Sequence, residues 1–273
     1  MNPLLSVDIV RSFRAGRTIR ARFSIPKEME GRILVVTGES GSGKSTLLRM
    51  LAGVVSPDAG SIRWNGEPWF DAMTGTDRPV ARRRIGYLPQ EDTLFPHMTV
   101  KENLLFAMEA GTGILKSVFE GRRRTHAGAV DEALSRFGLF PLSAEIPGNL
   151  SGGQRRRVSI CRMSLREPSL VLLDEPMNGL DPKAKEEIGG LIRRFLSERR
   201  VAGIWVTHDP PEAELLEGAR ASFERLDPES PMAGHSLVMT EGDVPGFPES
   251  GRSFLPKDPG GILLSRMPGE SMR

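Results

Sequence analysis

Cysteine is nearly missing from this chain. The single Cys161 among 273 residues cannot close an internal disulfide, which excludes a disulfide-stapled scaffold and suits a reducing cytosol. Long hydrophobic runs are missing too. No stretch approaches the ~18 consecutive apolar residues of a membrane span, and Met1-Asn2-Pro3-Leu4-Leu5 lacks a basic segment ahead of an apolar core. The chain is therefore expected to be cytoplasmic and to reach a membrane only through a partner. An excess of one charge is also lacking: 37 Lys and Arg against 35 Asp and Glu leave +2, which argues against nucleic-acid binding by bulk charge. With 38% apolar and 26% charged residues, disorder throughout is excluded, and the length allows one large domain or two small ones. No internal repeat is evident.

Short strands are expected over Leu4 to Phe13 and over Thr18 to Ile25, where Ile19, Ala21, Phe23 and Ile25 alternate. Ile33-Leu34-Val35-Val36 reads as a buried strand running through glycine-rich sequence into a helix at Ser45 to Ala52. Ser61 to Gly66 reads as a hairpin strand closed by Asn-Gly. From Val100 to about Arg166 the chain is helical and Arg-rich, with Gly138 ending a helix over Asp131 to Phe137. Two further buried strands, Leu170 to Leu173 and Gly203 to Thr207, flank a helix over Pro182 to Glu198. Apolar strands alternating with helices imply a largely parallel, covered sheet. From Leu216 on, Gly and Pro fill 15 of 58 positions against 51 of 273 overall, which predicts an irregular appendage.

Three motifs carry chemistry. Gly38-Glu39-Ser40-Gly41-Ser42-Gly43-Lys44-Ser45-Thr46 matches G-x-x-x-x-G-K-[ST], in which glycines let backbone N–H groups close around phosphate at a helix N-terminus. Lys44 is placed to reach the β- and γ-phosphates, and the Ser45 hydroxyl to ligate Mg²⁺. Leu170 to Glu175 is an apolar strand delivering two acids at its end: Asp174 to hold Mg²⁺ and Glu175 to act as general base on water. Such acids also cap helices, and Pro176 marks a possible helix start. Ser151-Gly152-Gly153-Gln154 precedes the arginines 155–157 and can offer a hydroxyl and backbone N–H groups to phosphate; a plain Ser N-cap is the simpler alternative. A second phosphate cradle in one chain suggests a site shared across a dimer.

With these motifs in order, residues 4 to 215 resemble the ATP-binding subunit of ATP-binding cassette (ABC) transporters. The fold class implied is α/β, a P-loop NTPase core. It has a mainly parallel sheet with helices on both faces, an N-terminal antiparallel β part, and an inserted α-helical subdomain. Residues 1–89 and 166–215 would form the ATP-binding core, 90–165 the helical signature subdomain, and 216–273 an irregular Pro/Gly-rich tail. The resemblance further implies roles for single residues. Gln90, in Tyr87-Leu88-Pro89-Gln90, stands where the family has its Q-loop glutamine beside Mg²⁺ and the attacking water. His208, in Val206-Thr207-His208-Asp209, stands where it has its switch histidine at the γ-phosphate. Asp181, in Gly179-Leu180-Asp181, belongs to a D-loop at the dimer interface. Phe13 lies near the position of an adenine-stacking tyrosine, although a core Phe on an edge strand reads equally well. Two ATPs with Mg²⁺ would be held in a homodimer or paired cassette, each between one subunit's Lys44 and the other's Ser151, Gly152, Gly153 and Gln154.

Residues 82–106 look like cassettes that energise importers for molybdate, sulfate and other small solutes. Leu94, Phe95, Met98 and Val100 would line a socket for a helix of an integral membrane permease, or else pack internally. The implied function is ATP hydrolysis coupled to solute import, with molybdate or a related oxyanion as solute. A solute-binding protein belongs to such a complex, and the subunit would lie on the inner face of the cell membrane. The rival reading is a non-transport cassette acting on nucleic acid or ribosomes through the Arg runs at 82–84, 122–124 and 155–157. Solvated helix faces account for those runs more simply, and no nucleic acid is expected. A P-loop kinase would leave Ser151 to Gln154 without a purpose.

Overall fold

The computed structural model describes residues 3–13, 18–109, 120–216, 218–225 and 235–239. The chain opens with two antiparallel strands, β1 (Leu5–Ser12) and β2 (Thr18–Ile25), paired from Leu5↔Ile25 to Ser12↔Thr18. Then come β3 (Ile33–Gly38) and α1 (Lys44–Ala52), followed by the short strands β4 (Ala59–Trp64), β5 (Glu67–Asp71) and β6 (Thr76–Asp77). Asn65 and Gly66, at φ 50° and 85°, make the two-residue turn expected of Asn-Gly between β4 and β5. After β7 (Ile85–Leu88) the chain is helical: α2 (Val100–Glu109), α3 (Glu120–Arg136) and α4 (Gly152–Ser164). β8 (Leu170–Asp174), α5 (Pro182–Arg199), β9 (Ala202–Val206), α6 (Pro210–Leu215), β10 (Ala219–Arg225) and β11 (His235–Met239) complete the described chain.

The eleven strands among the described residues form one sheet, in the order β6-β5-β4-β1-β2-β11-β10-β3-β9-β8-β7. Strands β10, β3, β9, β8 and β7 are mutually parallel, whereas β1, β2, β4, β5 and β6 join antiparallel neighbours. The parallel strands are apolar on both faces because both faces are covered. Leu34 and Val36 of β3, with Leu170 and Leu172 of β8, join a core with Leu47, Leu48 and Leu51 of α1. Ile33 and Val35, with Val171 and Leu173, face the other way into a core shared with α2, α4, α5 and Trp205. The period-2 alternation of a strand thus serves two cores at once.

Parallel pairing has a consequence for function. The C-terminal ends of β3, β9, β8 and β7 lie along one edge of the sheet, where open α/β folds bind their ligands. The segments that follow those ends carry Gly38 to Ser45, His208, Asp174 with Glu175, and Gln90.

The tail differs from its expected irregularity. β10 pairs in parallel with β3, from Ala219↔Leu34 to Phe223↔Gly38, and in antiparallel fashion with β11. Ala219 and Ala221 are buried. The strand was hidden because Arg220 breaks up a short alternation whose described inward residues, Ala219 and Ala221, are small. The rest of the tail, including Pro228 and everything from residue 240 on, lies outside the described residues.

Candidate functional site

The glycine loop joins β3 to α1. Gly43 is the N-cap of α1 at φ 106°, and a β-carbon there would stand 2.3 Å from Ile19 Cδ1. Only glycine suits both the left-handed backbone and the close approach of β2. Lys44 is buried; its Nζ donates to the carbonyls of Gly38 and Glu39, each at 2.8 Å, and so spans the loop it closes. An ammonium group has three protons, which leaves one to point elsewhere. Burial lowers the proton affinity of Lys44, while the charges of Glu175 and Asp174 act the other way. Ser42 Oγ is buried in the same loop and has no hydrogen-bond partner among the described residues.

Asp174 ends β8 and is almost fully buried. Ser45 Oγ donates to its Oδ1 at 2.8 Å, and Tyr87 Oη to its Oδ2 at 3.3 Å. Burial raises its pKa above the usual carboxylate range, and the hydrogen bonds from Ser45 and Tyr87 pull it back. A hydroxyl and a carboxylate side by side at a helix N-terminus are hard oxygen donors that suit Mg²⁺ together with phosphate.

Glu175 occupies the left-handed region at φ 44°, uncommon for a residue with a β-carbon. Its N–H donates to Val206 O at 3.0 Å, and its carbonyl accepts from Asn178 N at 3.1 Å. The carboxylate is bracketed from two loops: Oε1 lies 2.8 Å from His208 Nδ1, and Oε2 accepts from Gln90 Nε2 at 3.1 Å. Asn178 Nδ2 reaches Oε2 at 3.4 Å. A depression beside this cluster is lined by Glu175, Asn178, Thr207, His208 and Asp209. Lys185 of α5 donates to Asp209 at 2.8 Å, tying the segment after His208 to that helix.

The chain thus brings together Lys44, Ser45, Gln90, Asp174, Glu175 and His208. It does not link Ser151 to Gln154 with them by hydrogen bonds among the described residues. Ser151 instead caps α4 in a reciprocal box: Gln154 N donates to Ser151 Oγ at 3.2 Å and Ser151 N to Gln154 Oε1 at 2.8 Å. Ser151 and Gly152 are exposed, so the N-terminus of α4 faces outward. Asp181 caps α5, accepting from Ala184 N at 2.9 Å. Gly152 and Gly153 lie against Leu180 and Ala184, where an added β-carbon would make contacts of 3.6 and 3.4 Å. Phe13 is 38% exposed, with the Arg11 guanidinium 5.9 Å from its ring centroid; it is not a core residue.

Tyr87 and Asn178 were not singled out in the sequence, although both lie inside recognisable runs. Of the arginines 155–157, expected as a solvated face, Arg156 is the one that departs from it. Arg155 pairs with Asp92, Arg157 with Glu187, and Arg156 turns inward. Arg83 of the 82–84 run is buried, and residues 122–124 lie within α3, where their side chains are outside the described residues.

A strand, glycine loop and helix, with a buried Asp at the end of a neighbouring parallel strand, define a P-loop nucleotide-binding α/β protein. The family model described as ABC transporter matches residues 23–178, and the chain belongs to that family. It is 36% identical over 235 residues to the molybdenum import ATP-binding protein ModC of Brucella abortus (strain 2308), covering 81% of this chain and 62% of that protein. Against ModC of Bordetella pertussis the identity is 33% over 284 residues, covering 95% and 72%. Against the Fe(3+) ions import ATP-binding protein FbpC of Pseudomonas fluorescens (strain Pf0-1) it is 39% over 213 residues, covering 78% and 57%. The chain thus spans 62% of the length of the Brucella relative.

Proposed function

We propose that this chain is the ATP-hydrolysing subunit of an importer and that two copies close around two ATP molecules. The observation that carries the reading is the Glu175 carboxylate held between His208 and Gln90, on the same sheet edge as Lys44, Ser45 and Asp174. The loop from Gly38 to Thr46 binds the phosphates, and the third proton of Lys44 is directed to the β- and γ-oxygens. Ser45 Oγ and Asp174 would hold Mg²⁺, with Gln90 nearby, and the ion would supply positive charge against the phosphate oxygens. Glu175 takes a proton from water as the water oxygen bonds to the γ-phosphorus and the bond to the ADP oxygen breaks. His208 orients the Glu175 carboxylate and reaches the transferred group. Phe13, exposed at the end of β1, is available to stack on the base.

The outward N-terminus of α4 supports a role for Ser151 to Gln154 toward the nucleotide of a second copy, across an interface that includes Asp181. Such a dimer would sit on a membrane permease at the inner face of the cell membrane, with a solute-binding protein completing the complex. None of the described helices is long and apolar enough to cross a membrane. Import is common to the names of the relatives, whereas the solute is not: molybdenum in one and Fe(3+) in another, at similar identity. We take molybdate or a related oxyanion as the solute. The rival reading, on nucleic acid or ribosomes, has two fewer arginines to rest on, because Arg83 and Arg156 donate to backbone carbonyls inside the protein.

Glu175→Gln is the test. ATP turnover is expected to fall at least 100-fold while ATP still binds and drives dimerisation. The trapped protein should co-purify with an integral membrane protein from detergent-solubilised membranes. Normal turnover by Glu175→Gln would remove the base, and recovery of ribosomes or nucleic acid alone would remove the transporter.

A further inference from the structure

Arg156 makes contacts that its place in the sequence does not foretell. It lies in the second turn of α4, one turn beyond the Ser151 cap. Its Nε donates to Pro176 O at 2.7 Å, Nη1 to Pro89 O at 2.9 Å, and Nη2 to Glu175 O at 3.1 Å and Gln90 O at 3.3 Å. One planar guanidinium therefore binds the backbone on both sides of the Glu175–Gln90 pair. Two neighbours on the same helix hold the next residues of the Gln90 loop. Arg155 Nε pairs with Asp92 at 3.1 Å, and Arg162 donates to Thr93 O at 2.9 Å and also to Thr93 Oγ1.

Glu175 sits at φ 44°, a conformation that costs roughly 1–3 kcal/mol unless its surroundings enforce it. Two of the carbonyls that Arg156 grips, those of Glu175 and Pro176, follow that φ directly. The guanidinium thus helps enforce the backbone that aims the carboxylate at His208 and Gln90.

We propose that Arg156 is a positioning residue: it fixes Glu175 relative to Gln90 and carries any displacement of α4 to both at once. Because the exposed N-terminus of α4 is the part offered to a second copy's nucleotide, engagement there moves the frame that holds the base. This rests on the reading of Glu175 as the base. It makes hydrolysis, rather than ATP binding, the step that Arg156 controls. Lysine cannot replace it, since an ammonium on a flexible stem lacks the fixed planar fork that reaches four carbonyls at once.

The test uses the full chain with Mg²⁺ and ATP, comparing wild type, Arg156→Lys, Glu175→Gln and the double variant. Arg156→Lys is expected to lower kcat on the order of 10- to 100-fold, the cost of a misplaced catalytic group, with KM for ATP changed less than about twofold. It should remove little further rate from Glu175→Gln, since residues acting as one unit are non-additive. An unchanged kcat overturns the proposal. So does a parallel loss of kcat, ATP affinity and thermal stability, or a full multiplicative loss in the double variant, each of which marks a purely structural residue. If Arg156→Lys does not fold, Arg156→Gln is read in the same way, and failure of both to fold also overturns it. Loss of rate in Arg156→Lys together with normal turnover by Glu175→Gln would instead reject the base assignment.

Discussion

Glu175 and Asp174 are adjacent in the chain, yet their surroundings differ. Asp174 is enclosed between Ser45 and Tyr87, where burial raises its pKa, while Glu175 reaches across a loop junction to His208 and Gln90. One arrangement suits an oxygen ligand and the other a group that accepts a proton from water. Lys44, Ser45, Asp174 and Glu175 were legible in the sequence because each belongs to a short run whose spacing alone sets the local geometry. Arg156 was not, because three consecutive arginines look alike until the helix that carries them is docked. Cys161 is unpaired, and its surroundings make it inert as well: burial pushes its thiol up to about 12. Thiol reagents at pH 8 are expected to leave native protein unmodified and to label one site per chain after denaturation, counted by intact mass. Labelling of native protein at the rate of a free thiol would contradict that burial.

Among the elements, α1 is held at both ends by things outside it. Gly43 shapes its N-terminus, and Arg83 finishes its C-terminus, donating from Nη1 to Met50 O at 2.9 Å and Leu51 O at 2.8 Å. The same guanidinium meets Asp77 Oδ1 at 2.9 Å and stands 5.8 Å from the Trp69 ring centroid, so it ties the β5–β6 hairpin to α1. Arg83→Met would leave those carbonyls and Asp77 without their donor. Unfolding in urea should show a loss of about 3 kcal/mol, the scale of unsatisfied buried partners and a broken charge pair. A change under about 0.5 kcal/mol, the usual range of surface substitutions, would mean that water replaces the guanidinium. The long elements could be read beforehand because their periodicity is strong. β7 and β10 could not: β7 has four residues, one of them glycine, and β10 turns only alanines inward at the positions described.

At the scale of the molecule, buried acids make stability depend on pH. Glu212 on α6 is buried and accepts from Trp205 Nε1 at 2.7 Å; burial raises its pKa above the usual 4.5, against the pull of that hydrogen bond. A raised carboxyl pKa means that the folded chain keeps a proton the unfolded chain has released. Its contribution to stability is full below about pH 4 and is lost as pH rises through the folded value. Urea unfolding of Glu212→Gln across this range is expected to show a flatter decline than wild type, and an equal slope would remove Glu212 as its source. The glycine loop, the strand-end acids and their order along the chain were already determined by the sequence, because each is a local device. The tertiary structure alone decided that four separate loops share one edge, that β10 completes the sheet beside β3, and that Arg156 faces inward. Those outcomes depend on parallel pairing between strands distant in the chain and on the docking of α4, and no local pattern encodes either one.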